Sequence, residues 1–241
     1  GQKDRAAARS GSDRAAAQER RRDGDSGRTP VANIKPRDSV PSMDGWTAPA
    51  GERRSSDEKL FQDLNLDPRL LRAIVDDLKF RICSPIQAAA LPNLLAGRDL
   101  AGRAQTGTGK TAAFTLPMID ILAAGRARAR MPRSLVLAPT RELAAQVAEN
   151  FDTYAKHTKL TKALLIGGVA FGEQDKLIDR GVDVLIATPG RLLDHFERGK
   201  LLLTGVQIMV VDEADRMLDM GFIPDIKRIM ALLPKKRQNM V

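Results

Sequence analysis

Cysteine is almost missing from this sequence: Cys83 is the only one in 241 residues. A disulfide scaffold is thereby excluded, and a reducing, cytoplasmic compartment is expected. Long apolar runs are missing too. Stretches such as Ile208–Val211 fall far short of the roughly 20 apolar residues that span a bilayer, so neither a transmembrane helix nor a membrane partner is expected. The amino end carries nothing like the apolar core of a secretory signal, and none is expected. Large apolar residues are scarce in one region above all. Residues 1–56 hold only Val31, Ile34, Val40, Met43 and Trp46, too few to offset the entropy of ordering the chain.

What is present divides the chain in two. Residues 1–56 carry 12 Lys and Arg against 8 Asp and Glu, with much Ala, Ser, Gly and Pro, and read as a disordered basic tail. Residues 13–22 have the composition of a transient helix. An RNA-binding arm and a plain solubilising extension fit this tail equally. The whole chain carries a net charge of +9, which suits a polyanionic partner and also suits simple solubility.

From residue 57 onward, short apolar runs alternate with segments of helical period. The runs are Leu100–Ala101, Ser134–Ala138, Ala163–Ile166, Val182–Ala187 and Val206–Val211. Apolar residues at consecutive positions suit strands covered on both faces. Helices are expected at about 110–124, 141–156, 171–180, 190–198 and 222–233. This alternation predicts an α/β fold, a parallel sheet flanked by helices. Two further helices should start at Asp67-Pro68 and Ser84-Pro85, each a capping residue followed by proline. Gln87 stands three residues after Ser84, the capping-box spacing.

Two loops carry chemistry. Residues 104–111 read AQTGTGKT, between a strand-like segment at 99–103 and a helical one. Gly107 and Gly109 let the backbone curl around an anion, and the helix N-terminus adds N–H donors. Lys110 would reach the outer phosphates and Thr111 would offer its hydroxyl to Mg²⁺. The pattern G-x-x-x-x-G-K-[ST] is met except at its first position, Ala104. Residues 206–215 read VQIMVVDEAD, an apolar strand ending in Asp212 and Glu213. Asp212 suits a Mg²⁺ role and Glu213 suits the activation of a water. Acidic residues capping the next helix would look the same.

These residues resemble the DEAD-box family of ATP-dependent RNA helicases, and in detail its bacterial branch. Asp212, Glu213, Ala214 and Asp215 spell the name, AQTGTGKT matches motif I and PTRELAAQ at 139–146 matches motif Ia. Gly167 and Gly168 match the GG motif, and TPGR at 188–191 matches motif Ib. The resemblance covers 57–241 and implies a RecA-like P-loop domain with a Q motif at about 59–87. It implies ATP and Mg²⁺ as cofactors. Lys110, Asp212 and Glu213 would be catalytic, with Thr111 and Asp212 on the metal. Ala104, Gln105, Thr106, Gly107, Thr108, Gly109, Lys110, Thr111 and Asp215 would hold the nucleotide. Gln87 would read adenine while Phe61 stacks on it.

Lys79 departs from the family's glycine and puts the turn before Phe80 in doubt, whereas Cys83 falls at a variable position. Pro139, Thr140, Arg141, Gly167, Gly168, Thr188, Pro189, Gly190 and Arg191 would hold single-stranded or short duplex RNA without reading its sequence. Arg141 taken alone also fits a surface arginine near a helix start. The arginine-rich loop 125–133 fits either a solvated connection or an RNA contact. The resemblance further implies motif III and a second domain beyond Val241, so that the chain is a piece of a longer helicase and would not unwind RNA alone. A non-enzymatic ATP-dependent RNA clamp, and a P-loop NTPase acting on DNA or a small molecule, are the alternatives.

Overall fold

The computed structural model describes residues 45–53, 55–105 and 107–241. Five strands form one sheet: β1 (Ser134–Leu137), β2 (Lys162–Leu165), β3 (Val184–Ala187), β4 (Ile208–Val211) and β5 (Gln238–Met240). Their order is β2-β3-β1-β4-β5 and every pairing is parallel. Parallel pairing needs a crossover between strands, and the helices supply it.

Consecutive strand residues point to opposite faces, and each face meets its own helices. Val136, Val184, Ile186, Ile208 and Val210 pack toward α1 (Pro68–Arg72), α2 (Pro85–Leu95), α3 (Lys110–Leu122) and α4 (Arg141–Ala155). Leu135, Leu137, Leu185, Ala187, Met209 and Val211 pack toward α5 (Phe171–Arg180), α6 (Pro189–Glu197), α7 (Ala214–Asp219) and α8 (Ile223–Leu232). The two-sided cover explains the unbroken apolar runs. At the edge, β2 alternates buried and half-buried residues instead.

Three expectations need correction. The run Leu100–Ala101 is not a full strand. Leu100 makes a single parallel bridge to Met240, flanked by bonds from Leu100 N to Asn239 O, Val241 N to Leu100 O and Gly102 N to Val241 O. β5 was not foreseen, because a strand reading Gln-Asn-Met lacks an apolar run. Gln238 is nevertheless fully buried, its amide donating to Leu94 O and Arg98 O at 2.9 and 2.7 Å. The expected tail also extends too far. Trp46 packs on the core and donates from Nε1 to Asp76 Oδ2 at 2.7 Å, so ordered packing begins before residue 57. The helix expected at 13–22 lies outside the described residues.

At the amino-terminal edge of the sheet, Asp183 is 5 % exposed and binds the entries of three strands. Its Oδ1 accepts from Ala127 N and from Arg133 Nη1, at 2.9 and 3.1 Å. Its Oδ2 accepts from Thr161 N and Oγ1, at 3.0 and 3.1 Å. Arg133 precedes β1, Thr161 precedes β2 and Asp183 precedes β3. Removing one partner of a buried pair leaves the other charge uncompensated, at about 3–5 kcal/mol. We therefore expect Asp183→Ala to destabilise the chain by about that amount in urea titration, and Asp183→Asn to cost less, since its one amide oxygen can still accept both bonds from Thr161.

Candidate functional site

In a parallel sheet every strand ends at the same edge, and ligand sites lie beyond it. The phosphate-type loop reaches that edge from the Leu100 bridge. Gly107 and Gly109 have φ of +81° and +91°, a region open to glycine at little cost. A Cβ on Gly109 would also collide with the Gln87 amide, so this position admits only glycine on both grounds. Lys110 then opens α3, a helix of 13 residues, whose first N–H groups lack partners within the helix.

Two cavities meet at this loop and share Lys110, Asp212 and Glu213. The smaller, about 580 Å³, is lined by Phe61, Phe80, Gln87, Gly107, Thr108, Gly109, Lys110 and Thr111 together with part of α4. The larger, about 1020 Å³, is lined by Ala104, Gln105, Asp215 and Arg216 beside the Leu100 bridge. The smaller one brings an aromatic ring, an amide, a glycine loop, an ammonium and two carboxylates to one space. Thr106 lies outside the described residues.

Gln87 fits both readings of the sequence. Its Oε1 accepts from Ser84 N at 2.9 Å, half of a capping box, while Ser84 Oγ is buried without a partner. Its Nε2 donates to Gly109 O at 3.2 Å, which ties α2 to the glycine loop. Two phenylalanine rings line this cavity. Phe61 is 2 % exposed and part of the core, whereas Phe80 is 48 % exposed on the same cavity. Phe80 therefore presents the more open ring to this space.

The short π-helical stretch Ala73–Asp77 leads to Phe80, with Leu78 N bonded to Ala73 O and Phe80 N to Ile74 O, both at 3.0 Å. Lys79 sits between them at φ +59°. The turn that favours glycine is thus kept with lysine in it, at about 1–2 kcal/mol. Cys83 lines the same cavity, but burial pushes its thiol up to about 11, so it stays unreactive.

Asp212 and Glu213 follow β4, and Asp212 N is bonded to Leu137 O at 2.9 Å. Burial, and then the neighbouring Glu213 charge, raise the pKa of Asp212 above the ordinary aspartate range; Lys110 pulls the other way. Glu213 adopts φ +52°, strained for a side chain with a Cβ, as is common at functional sites. Its Oε2 lies 3.3 Å from Arg216 Nη1. Arg216 was not anticipated, although its spacing three residues from Glu213 is a helical pairing distance. Asp215 accepts from Arg216 N at 2.9 Å within the first turn of this short helix, whose N-cap Glu213 makes no side-chain capping bond.

A second group of loops continues along the same edge. Thr140 caps α4 by accepting from Leu143 N at 3.2 Å. Arg141 Nη1 donates to Gly167 O at 3.4 Å, and a Cβ on Gly168 would stand 2.8 Å from that nitrogen. Arg191 donates to Val169 O. Arg141 and Arg191 therefore bind the Gly167–Val169 loop. Gly190 is exposed, whereas Pro139 and Pro189 are buried and shape the turns. In the arginine-rich loop, Arg133 and Arg130 are committed to structure, through Asp183 and through Lys200 O at 3.1 Å.

A parallel sheet with a lysine-bearing glycine loop and an adjoining acidic strand end defines a P-loop nucleotide-binding domain of RecA-like type. Residues 84–241 match the family model described as DEAD/DEAH box helicase, and the chain belongs to that family. It is 49 % identical over 181 residues to an ATP-dependent RNA helicase RhlB of Pseudomonas syringae pv. tomato, covering 73 % of this chain and 45 % of that protein. A protein of the same name from a Shewanella strain is 44 % identical over 185 residues, covering 75 % and 42 %. The crystal structure of a DEAD box protein from Methanococcus jannaschii superposes with a TM-score of 0.69 at 34 % identity, over 76 % of this chain and 49 % of that one. The chain thus spans less than half the length of the curated relatives it matches. No helix among the described residues is long and apolar enough to cross a membrane.

The raised pKa of Asp212 has a consequence for stability. The folded chain holds that proton more tightly than the unfolded chain does. Stability therefore falls as pH rises from the unfolded value near 3.8 through the folded one. Above the folded value the penalty is complete. Asp212→Asn should raise the melting temperature of the ligand-free chain at pH 7, with a gain that shrinks as the pH approaches about 4.

Proposed function

We propose that this chain is the ATP-binding half of an ATP-dependent RNA helicase. The observation that carries the reading is the single cavity shared by Phe80, Gln87, the Gly107–Thr111 loop, Asp212 and Glu213. Phe80 offers a ring face to adenine, with Phe61 as the core residue beneath the site. Gln87 Nε2 keeps a second hydrogen for the base edge. Backbone N–H groups of Gly107–Thr111 and the Lys110 ammonium receive the phosphates, on the positive end of α3.

The residues also fit Mg²⁺. Among the described residues no cluster of three or more His, Cys, Asp or Glu would cage a metal alone. A magnesium ion bound with ATP takes only one or two carboxylates and keeps several waters. Thr111 and Asp212 would hold it, and it would supply charge neutralisation at the phosphates. Lys110 stabilises the phosphate charge, and Glu213, placed by its strained backbone, orients and deprotonates the attacking water. Arg216 holds Glu213 until then.

The loops bearing Pro139, Thr140, Arg141, Gly167, Gly168, Thr188, Pro189, Gly190 and Arg191 are the proposed RNA surface. They present main chain, hydroxyls and guanidinium groups, which suit phosphates and sugars and read no base. Single-stranded or short duplex RNA, bound independently of sequence, is the partner this chemistry fits. A cytoplasmic location rests on the solitary, buried Cys83.

Binding of a fluorescent ATP analogue tests the cavity. Lys110→Ala should abolish measurable binding with an unchanged circular dichroism spectrum. Phe80→Ala should weaken it roughly 5- to 100-fold, since stacking on an aromatic is worth ~1–3 kcal/mol. Unaltered affinity in both variants would sink the assignment. In the intact helicase, Glu213→Gln should keep ATP and RNA binding and lower turnover by roughly 10²–10⁴. Near-normal turnover there would remove Glu213 from the role of base.

A further inference from the structure

Gln174 lies outside every motif described above. It sits in the first turn of α5 and is 2 % exposed. Its amide nitrogen donates to Ile166 O at 3.0 Å. Its amide oxygen accepts from Arg191 Nε at 3.0 Å and meets His195 Nε2 at 2.7 Å. Arg191 can only donate, so the oxygen must face it and the amide has one orientation. His195 then carries its proton on Nε2. Burial, assisted by Arg191 and Arg198, holds the pKa of His195 below its ordinary value against the opposing charge of Asp175.

The surroundings of Gln174 hold Arg191 at Nε, at Nη2 and on one ring face. The Arg191 guanidinium centre lies 3.5 Å from the centre of the Phe171 ring, and Nη2 donates to Val169 O. His195 meets the same ring edge-on at 5.0 Å. His195 Nδ1 is 3.1 Å from Asp175 Oδ1 without the alignment of a hydrogen bond, and Asp175 pairs with Arg198 at 3.1 Å. Two of the three Arg191 nitrogens are thus spent on holding the side chain. Among the described residues Nη1 makes no hydrogen bond, and Arg191 is half-buried at the sheet edge.

We propose that Gln174 is a positioning residue for RNA: by bonding Ile166 O and Arg191 Nε together, it locks the Gly167–Val169 loop and the Arg191 guanidinium into one clamp for the sugar-phosphate backbone. The inference rests on the RNA reading above and deepens it. A flexible arginine would lose rotamer freedom on each phosphate it binds. Gln174 removes that freedom in advance, with a buried side chain that touches no RNA itself.

The test uses the 241-residue chain and a fluorescein-labelled oligouridylate, read by anisotropy across a salt series. Arg191→Ala should weaken binding and flatten the salt dependence by about one counterion. Gln174→Met should weaken binding roughly three- to tenfold, the size expected for the loss of one ordinary hydrogen bond. It should flatten the salt dependence just as Arg191→Ala does. The double variant should bind no worse than Arg191→Ala alone. Melting temperature and ATP-analogue affinity report the fold.

Gln174→Asn keeps a buried amide but is one methylene too short to reach Ile166 and Arg191 together. It should show the same flattening, and it decides the matter should the Met variant not fold. If Arg191→Ala changes neither affinity nor salt dependence, the RNA reading itself fails at this loop. If Arg191→Ala acts but the Gln174 variants keep the wild-type salt dependence, or if the double variant shows the two losses added, the RNA reading stands and the positioning role is overturned.

Discussion

A parallel ladder satisfies its main-chain hydrogen bonds only when all strands run the same way, and the rest of this structure depends on that constraint. It sends five strand starts to one edge of the sheet and five strand ends to the other. The starts are where structure is secured. Asp183 gathers Ala127, Arg133 and Thr161 there, one buried carboxylate accepting from the entries to neighbouring strands. The ends are then free to carry groups that packing would not choose: Thr140, Gly167, Thr188 and Asp212 each follow a strand and each opens onto the same edge.

Those groups make the edge costly. Glu213, Lys79 and Gly109 all have positive φ, and two of them carry a Cβ. Asp212 is an aspartate held where its charge is disfavoured. Gly109 is pressed against Gln87, so a Cβ there would displace the amide. Such strain persists only where surrounding structure over-determines it, and here the over-determination is visible. Gln87 is bonded to both Ser84 and Gly109, and Asp212 is held through its backbone to Leu137.

The fold was largely legible because two-sided burial writes itself as consecutive apolar residues, as in Leu135–Leu137 and Leu185–Ala187. The phosphate loop and acidic strand end were legible because their chemistry needs particular residues at fixed spacing. What could not be read follows from the same physics. β5 is buried through the hydrogen bonds of Gln238 rather than through apolar residues, so no hydrophobic pattern marks it. Phe61 and Phe80 are both phenylalanines near the Q motif, and only the packing of Leu60–Leu64 against the core shows which ring remains open. Trp46 sits in a stretch of tail composition, and its place on the core depends on Asp76, 30 residues away. Gln174 belongs to no spacing rule, since its partners lie on other elements: Ile166 after β2, and Arg191 and His195 on α6.

The two parts of the site are joined by backbone rather than by side chains. Asp212 N is bonded to Leu137 O, Ala138 N to Ala187 O, and Thr188 N to Leu165 O, at 2.9, 3.0 and 3.2 Å. These three bonds run from the end of β4 through β1 and β3 to β2, and so from the carboxylates to the TPGR and glycine loops. Coupling between two ligands requires two states that both of them bias. A continuous ladder offers only one arrangement, so it sets the spacing between the sites without switching anything. The side chains at its two ends are held differently: Glu213 by the single ion pair to Arg216, Arg191 by the Gln174 amide and by Val169 O together. The sheet acts as the fixed ruler; Glu213 stands at one end on one ion pair, and Arg191 is clamped at the other.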